Sequence, residues 1–365
     1  MDYQYLAFKD FPFDQLHKYV KDWDNVSSID DVEISLPGGF TGTTFVGRNK
    51  SLELGENNPI IIKLYDTEKR PGLDKEKHFA QILIEKYYEI SQLKIFEMRN
   101  PHYMQEIVKK LVEFEYNPKL NEFLFNYNNG KKQTLLMGFR DKYYPQFKAR
   151  LEGLMTQRHE EAHLLKLNFI KENFYDIDMQ LYLDNLLKQQ EEAQEDILVS
   201  HYDVQQGNIL SFDKDTAKIM VIDYEDPAFA PNYNDLGSFL GCFMKDNNHP
   251  GEFGIKFYPE NMITEREIRF CAEKYLSYYH ETNYKGDQDL KTYIEEKLES
   301  YYENVVCSMI FMNVFYGIWA IIRLRDEIKG TFLAMGESRV MQNQYLMKQE
   351  FIRKVVDKRL AQYQE

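Results

Sequence analysis

His201-Tyr202-Asp203-Val204-Gln205-Gln206-Gly207-Asn208-Ile209-Leu210, followed after a turn by Val221-Ile222-Asp223-Tyr224-Glu225, is the stretch on which the fold reading turns. A hydroxyl is a poor nucleophile unless a carboxylate orients it and accepts its proton, a part Asp203 can play. Five residues on, Asn208 can offer an amide oxygen to a metal ion. Asp223 closes the apolar run Ile219-Met220-Val221-Ile222, which puts a carboxylate at a strand end where it can hold a divalent cation. A lone Asp or Asn in a loop is usually a turn former or a helix cap. Three in this order, with His201 two residues ahead of Asp203, carry more.

Working outward, short β segments are expected at 197–200, 209–212 and 218–222. N-terminal to them, residues 32–36, 43–47 and 60–65 are β-branched or apolar runs separated by turn residues, which predicts three antiparallel strands. A short amphipathic helix is expected at 11–23 and another helix at 74–88, with further strands near 94–97 and 103–108. Residues 117–132 contain five Asn and the pair Asn129-Gly130, and read as a polar excursion near a lobe boundary. Residues 146–194 and the region after about 235 have helical texture, broken by a turn at 247–254. The expected architecture is α+β and bilobed: an N-terminal nucleotide-binding lobe over 1–110 with a small antiparallel sheet, and a mainly helical catalytic and acceptor-binding lobe over 111–365.

The bulk numbers agree with a two-lobed enzyme. At 365 residues the chain exceeds a single core, and 27 Tyr and 25 Phe supply a well-filled interior. A formal charge of -14 argues against a general nucleic-acid binder. Cys242, Cys271 and Cys307 are widely spaced with no CxxC pair, which fits a reducing, cytoplasmic location. The acidic and polar start Met1-Asp2-Tyr3-Gln4 lacks the features of a signal peptide. Residues 305–322 contain no Asp, Glu, Lys or Arg over 18 positions, the lower limit for a membrane span. Asn313, Ser308 and Gly317 interrupt the run, and it is read as a buried core helix rather than an integral membrane segment.

The order Asp, four residues, Asn, then a strand-terminal Asp is that of protein kinases. More closely, His201-x-Asp203-x-Gln205-x-Gly207-Asn208-Ile209-Leu210 and Ile222-Asp223-Tyr224-Glu225 resemble the choline/ethanolamine kinase signatures HNDxxxGNIL and IDFE, with departures at Tyr202 and Tyr224. Asp235, in Tyr233-Asn234-Asp235-Leu236-Gly237, sits where that family has a further Asp, expected to support the loop rather than the chemistry. The resemblance implies a protein-kinase-like fold, ATP and Mg2+ as cofactors, and a small amino alcohol, choline or ethanolamine, as acceptor. Asp203, Asn208 and Asp223 become the catalytic set, with Asn208, Asp223 and Gln205 as metal donors.

On the nucleotide side, Pro37-Gly38-Gly39-Phe40-Thr41-Gly42 is similar to the family's GGxSN loop, which implicates Gly39 and Thr41. Lys63, the one cation in Ile60-Ile61-Ile62-Lys63-Leu64-Tyr65, is the candidate for neutralising ATP phosphates, with Glu76 as its carboxylate partner in preference to Glu85. Residues 103–108 resemble the family's interlobe strand, which implicates Gln105 and Ile107 at the adenine. On the acceptor side, Phe315-Tyr316-Gly317-Ile318-Trp319 is similar to the family's WGxW motif. Tyr316 and Trp319 then offer aromatic faces to an ammonium group, and Asp203, Glu225 and the neighbouring Asp226 offer charge. A kinase of this fold with an aminoglycoside or sugar acceptor, and an inactive nucleotide-binding module, stay open as alternatives. Oligomeric state is also open, a homodimer among the options.

Overall fold

Residues 22–35, 43–52, 60–64, 91–92, 95–176, 196–213, 218–224, 227–246, 255–324 and 331–361 are described by the structure, a computed structural model. The chain divides into two compact units, Met1–Glu106 with Gln206–Asp226, and Ile107–Gln205 with Pro227–Glu365. The expected helices at 11–23 and 74–88 and the turn at 247–254 lie wholly or mostly outside the described residues, as do 177–195 of the expected helical region.

In the first unit, β1 (Val32–Ser35), β2 (Thr43–Asn49) and β3 (Ile60–Leu64) form an antiparallel sheet in the order β1-β2-β3, as their β-branched composition predicts. Lys63 lies opposite Thr44 in that register. A second sheet joins β4 (Ser91–Gln92) to two later strands: β6 (Ile209–Asp213), which lies in the middle, and β7 (Lys218–Val221).

Two expected strands are helices instead. Residues Ile95–Met98 form the short α1, and Pro101–Glu115 form the four-turn α2. The window 103–108 looks β-like when read alone. Over a longer span, Tyr103, Met104, Ile107, Val108, Leu111 and Val112 are all buried, a helical repeat of three to four. Pro101 occupies the first turn, where its missing N–H costs nothing, and the Asn100 side chain accepts the His102 N–H. The expected polar excursion at 117–132 is likewise largely helical. α3 (Pro118–Tyr127) starts with Pro at its first turn, and the Asn117 side chain accepts from Lys119 and Leu120 N–H.

The second unit continues with α4 (Leu135–Gly138), a π-helical turn (Phe139–Tyr143), α5 (Tyr144–Met155), α6 (Glu161–Ile170) and a second π-helical turn (Lys171–Tyr175). β5 (Ile197–Ser200) pairs antiparallel with β8 (Ala228–Pro231). After α7 (Asn234–Gly241), a minimal ribbon joins β9 (Lys245–Asp246) and β10 (Lys256–Phe257). Four longer helices finish the described chain: α8 (Glu265–Thr282), α9 (Leu290–Arg323), α10 (Thr331–Met347) and α11 (Glu350–Ala361). Thr264 and Glu267 make a reciprocal capping box on α8, and Asp289 caps α9.

The 34-residue α9 holds the core together. It is apolar and long enough to cross a membrane, yet 72% of its most apolar window is buried within the fold. Phe315, Ile318 and Ile321 pack with Phe139, Phe147, Leu167 and Ile170. Gly317 and Gly336 make this close packing feasible: a Cβ on Gly317 would meet Phe174 at 2.4 Å and Arg339 Cβ at 3.3 Å, and one on Gly336 would meet Ile321 at 3.1 Å. The approach brings the α10 side chain of Arg339 to the α9 side chain of Tyr316.

Candidate active site

The loop that follows β5 is fixed by one buried carboxylate. Asp235, in the first turn of α7 and wholly buried, accepts from Ser200 Oγ at 2.6 Å, from the His201 N–H at 2.8 Å and from the Tyr202 N–H at 2.6 Å. Burial raises its pKa most, while His201 and these hydrogen bonds pull the other way. Tyr202 needs the restraint, because its φ of 42° puts a bulky residue in the left-handed region. Its carbonyl is held as well, accepting from Ser238 Oγ at 2.9 Å and from Tyr316 Oη at 2.6 Å. Buried His201 turns Nδ1 back to the Asp203 N–H, at 3.3 Å.

Asp203 is presented at the end of this braced segment. Tyr316 Oη lies 3.0 Å from its Oδ1, and Gln205 Nε2 lies 3.4 Å from its Oδ2. Burial, and after it the charge of Asp203, push the Tyr316 phenol well above its ordinary pKa, so it stays protonated and serves as a donor. The Arg339 guanidinium sits 4.7 Å from the centre of the Tyr316 ring and donates to Asn313 Oδ1 at 2.6 Å. Lys245 is 1% exposed, and its Nζ has no hydrogen-bond partner among the described residues. Burial first, then the charge of Arg339, lowers its pKa to about 7.

Within the first unit, the hairpin of β6 and β7 brings the two expected metal donors to the same end. Asn208 closes the 3-10 turn Gln206–Asn208 directly before β6. Asp223 follows β7 by two residues, Ile209 pairs with Val221, and the Ile222 N–H donates to the Asn208 carbonyl at 2.9 Å. Asp223 has φ 74°, a left-handed conformation that Asp tolerates better than most side chains. Among the described residues no three His, Cys, Asp or Glu side chains gather into a metal cage. A hard oxygen pair of one amide and one carboxylate suits Mg2+, which binds through one or two carboxylates and completes its shell with phosphates and water.

A family model for choline/ethanolamine kinase matches residues 77–349 of the 365. The chain belongs to the choline/ethanolamine kinase family. The curated choline/ethanolamine kinase of Homo sapiens is 22% identical over 264 residues, 72% of this chain and 60% of that protein. A probable choline kinase of Arabidopsis thaliana is 28% identical over 138 residues, 38% of this chain and 36% of that protein. The match thus spans less than two thirds of either curated relative. Among solved structures, a Cryptosporidium parvum choline kinase superimposes with a TM-score of 0.61 at 16% identity, covering 94% of each chain. A Plasmodium vivax ethanolamine kinase also gives 0.61 at 16% identity, covering 90% of this chain and 84% of the other. These likenesses establish the kinase-like α+β fold.

Not every residue aligned with the choline/ethanolamine kinase motifs behaves as expected. Gln105 and Ile107 are placed on α2, not on an interlobe strand. Their main-chain groups belong to a helix and Ile107 is fully buried, so neither offers a strand edge to adenine. Gly39, Thr41, Glu76, Glu85, Glu225 and Asp226 lie outside the described residues. Gln205, expected as a metal donor, points its amide nitrogen at Asp203.

Tyr316 and Trp319, the expected acceptor-binding aromatics, each already carry an arginine over the ring. Arg339 is 4.7 Å from the Tyr316 centroid, and Arg323 is 5.0 Å from that of Trp319. Trp319 also packs edge-on against Phe332 at 5.7 Å. Sequence reasoning missed Arg339, Asn313, Ser238 and Lys245. Asn313 had a signal: it stands three residues before Tyr316, on the same face of one helix.

Proposed function

We propose that the protein transfers the γ-phosphoryl group of ATP to the hydroxyl of a small amino alcohol, ethanolamine in preference to choline. The observation that carries the reading is the braced loop. Asp235, Ser238 and Tyr316 fix the backbone of Tyr202, and Tyr316 reaches the carboxylate of Asp203, the residue at the motif's base position. Membership of the family supplies the reaction class.

In the proposed reaction Asp203 orients the acceptor hydroxyl and takes its proton as the oxygen bonds to the γ-phosphorus. The bond from that phosphorus to the β,γ-bridging oxygen breaks, its electron pair leaves on ADP, and the proton on Asp203 passes to solvent. Mg2+, when bound, neutralises phosphate charge; Asn208 and Asp223 are the residues that hold it. Lys63, on β3, is the proposed phosphate cation. Their order along the chain supports this division of roles, with Asp203 five residues before Asn208 and Asp223 after the intervening hairpin.

The preference for ethanolamine rests on the occupied rings. A quaternary ammonium has no N–H and depends on aromatic faces. A primary ammonium can be held by hydrogen bonds to oxygen, which the sequence supplies at Glu225 and Asp226. Guanidinium groups over Tyr316 and Trp319 repel a second cation. The three cysteines are unpaired, which supports the expectation of a cytoplasmic enzyme.

The test is steady-state ADP release with a panel of ethanolamine, choline, sugars and an aminoglycoside, with products identified by phosphorus NMR. The expected result is phosphoethanolamine with kcat/KM about 2- to 30-fold above that for choline, the ratio that corresponds to the roughly 0.5–2 kcal/mol of one lost cation–ring contact. Turnover confined to a sugar or aminoglycoside rejects the acceptor class.

A further inference from the structure

Tyr316 stands where the family's motif has tryptophan, and its surroundings give it a different task from lining an ammonium site. Its hydroxyl oxygen lies within hydrogen-bond distance of two acceptors, the Tyr202 carbonyl at 2.6 Å and Asp203 Oδ1 at 3.0 Å. The ring is buried and flanked. Arg339 covers one face at 4.7 Å, Phe315 meets it edge-on at 5.4 Å, and the side chain is 8% exposed. Arg339 is anchored in turn by Asn313, one helical turn before Tyr316 on α9.

We infer that Tyr316 is a positioning residue for Asp203, its phenol tying the carboxylate to the constrained Tyr202 peptide, and that it is not a wall of the acceptor's ammonium site. This rests on the proposed reaction for its catalytic consequence, but the tie itself is geometric. A phenylalanine keeps the π-face and loses the tie. A tryptophan enlarges the π-face and carries no hydroxyl. The two substitutions therefore separate positioning from ammonium binding.

The experiment compares Tyr316→Phe and Tyr316→Trp with wild type, using whichever alcohol the wild type phosphorylates. A misplaced base lowers kcat by about 10- to 100-fold in both variants, the usual size of a positioning loss. KM for acceptor and for ATP should stay within about threefold, because ground-state binding is untouched. Unchanged kcat in Tyr316→Phe overturns the inference, as does a Tyr316→Trp enzyme with a lower choline KM and intact kcat.

A second readout needs no turnover. In protein labelled with 3-fluorotyrosine, the resonance missing from Tyr316→Phe should move in Asp203→Asn and in Asp203→Ala. A resonance indifferent to Asp203 overturns the tie. A wild type inactive on every alcohol refutes the proposed function alone, leaving the fluorine result to decide this one.

Discussion

The amide of Tyr202 donates to Oδ1 of Asp235 at 2.6 Å while Tyr202 itself is held at φ 42°. A left-handed backbone on a bulky side chain costs of order 1–3 kcal/mol and persists only where surroundings over-determine it. Here the carboxylate of Asp235 holds the N–H groups of two consecutive residues, and hydroxyls of Ser238 and Tyr316 hold the carbonyl. The strain sits immediately before the proposed base. Replacing Asp235 with Asn leaves an amide N–H facing backbone donors in a fully buried place. The expected outcome is a loss of about 3 kcal/mol in urea unfolding, the scale for breaking a buried charged hydrogen-bond set, and a fall in kcat of about 100-fold.

Asn208 and Asp223 should set the magnesium requirement. They flank one end of the β6–β7 hairpin, tied by the Ile222 to Asn208 backbone bond. Asn208→Ala should raise the Mg2+ concentration for half-maximal rate by about tenfold or more, and Asp223→Asn further, as loss of groups around a metal does. An unaltered Mg2+ dependence in both variants removes them from the metal site.

Gly317 is a packing prediction. A methyl group there meets Phe174 at 2.4 Å, so that ring must shift, and Phe174 is 2% exposed in the core. Gly317→Ala should destabilise by about 1–3 kcal/mol, the common cost of overpacking, despite alanine's better helix propensity. Equilibrium denaturation reads this directly, and a stabilised variant contradicts the tight α9–α10 approach.

Glu115 provides a pH test. It is 1% exposed, receives the Tyr275 hydroxyl, and lies near the charge of Asp235. Burial, then Asp235, pushes its pKa well above the ordinary 4.5. A carboxyl raised in the folded state binds its proton more tightly there than when unfolded. Its contribution is therefore complete below about the unfolded value and is lost as pH rises through the folded one. Thermal midpoints should fall more steeply with rising pH for wild type than for Glu115→Gln, whose amide has no proton to lose. Parallel curves refute the assignment.

Much of this was legible in the sequence, for identifiable reasons. The strands β1 to β3 and β5 to β7 announced themselves through β-branched runs bounded by turn residues, and the Asp203, Asn208, Asp223 order carried its own chemical logic. Asp235 was also foreseen as a support for the loop. Residues 103–108 misled because six positions cannot separate a strand from the buried stripe of α2, whereas Leu111 and Val112 extend the helical period. Arg339 could not be read at all: it meets Tyr316 from 23 positions away, through a helix approach set by Gly317 and Gly336. From the sequence Tyr316 offers an aromatic face to an ammonium group, whereas in the structure its hydroxyl and one face are engaged.

The most direct measurement is phosphoryl transfer from ATP to ethanolamine by wild type and by Asp203→Asn, with ATP affinity determined by calorimetry on both. The expected result is phosphoethanolamine from wild type and a kcat about 1,000-fold lower in the variant, within the range for a lost general base, at an ATP Kd within about threefold. Equal turnover by the two proteins would contradict the account at its centre.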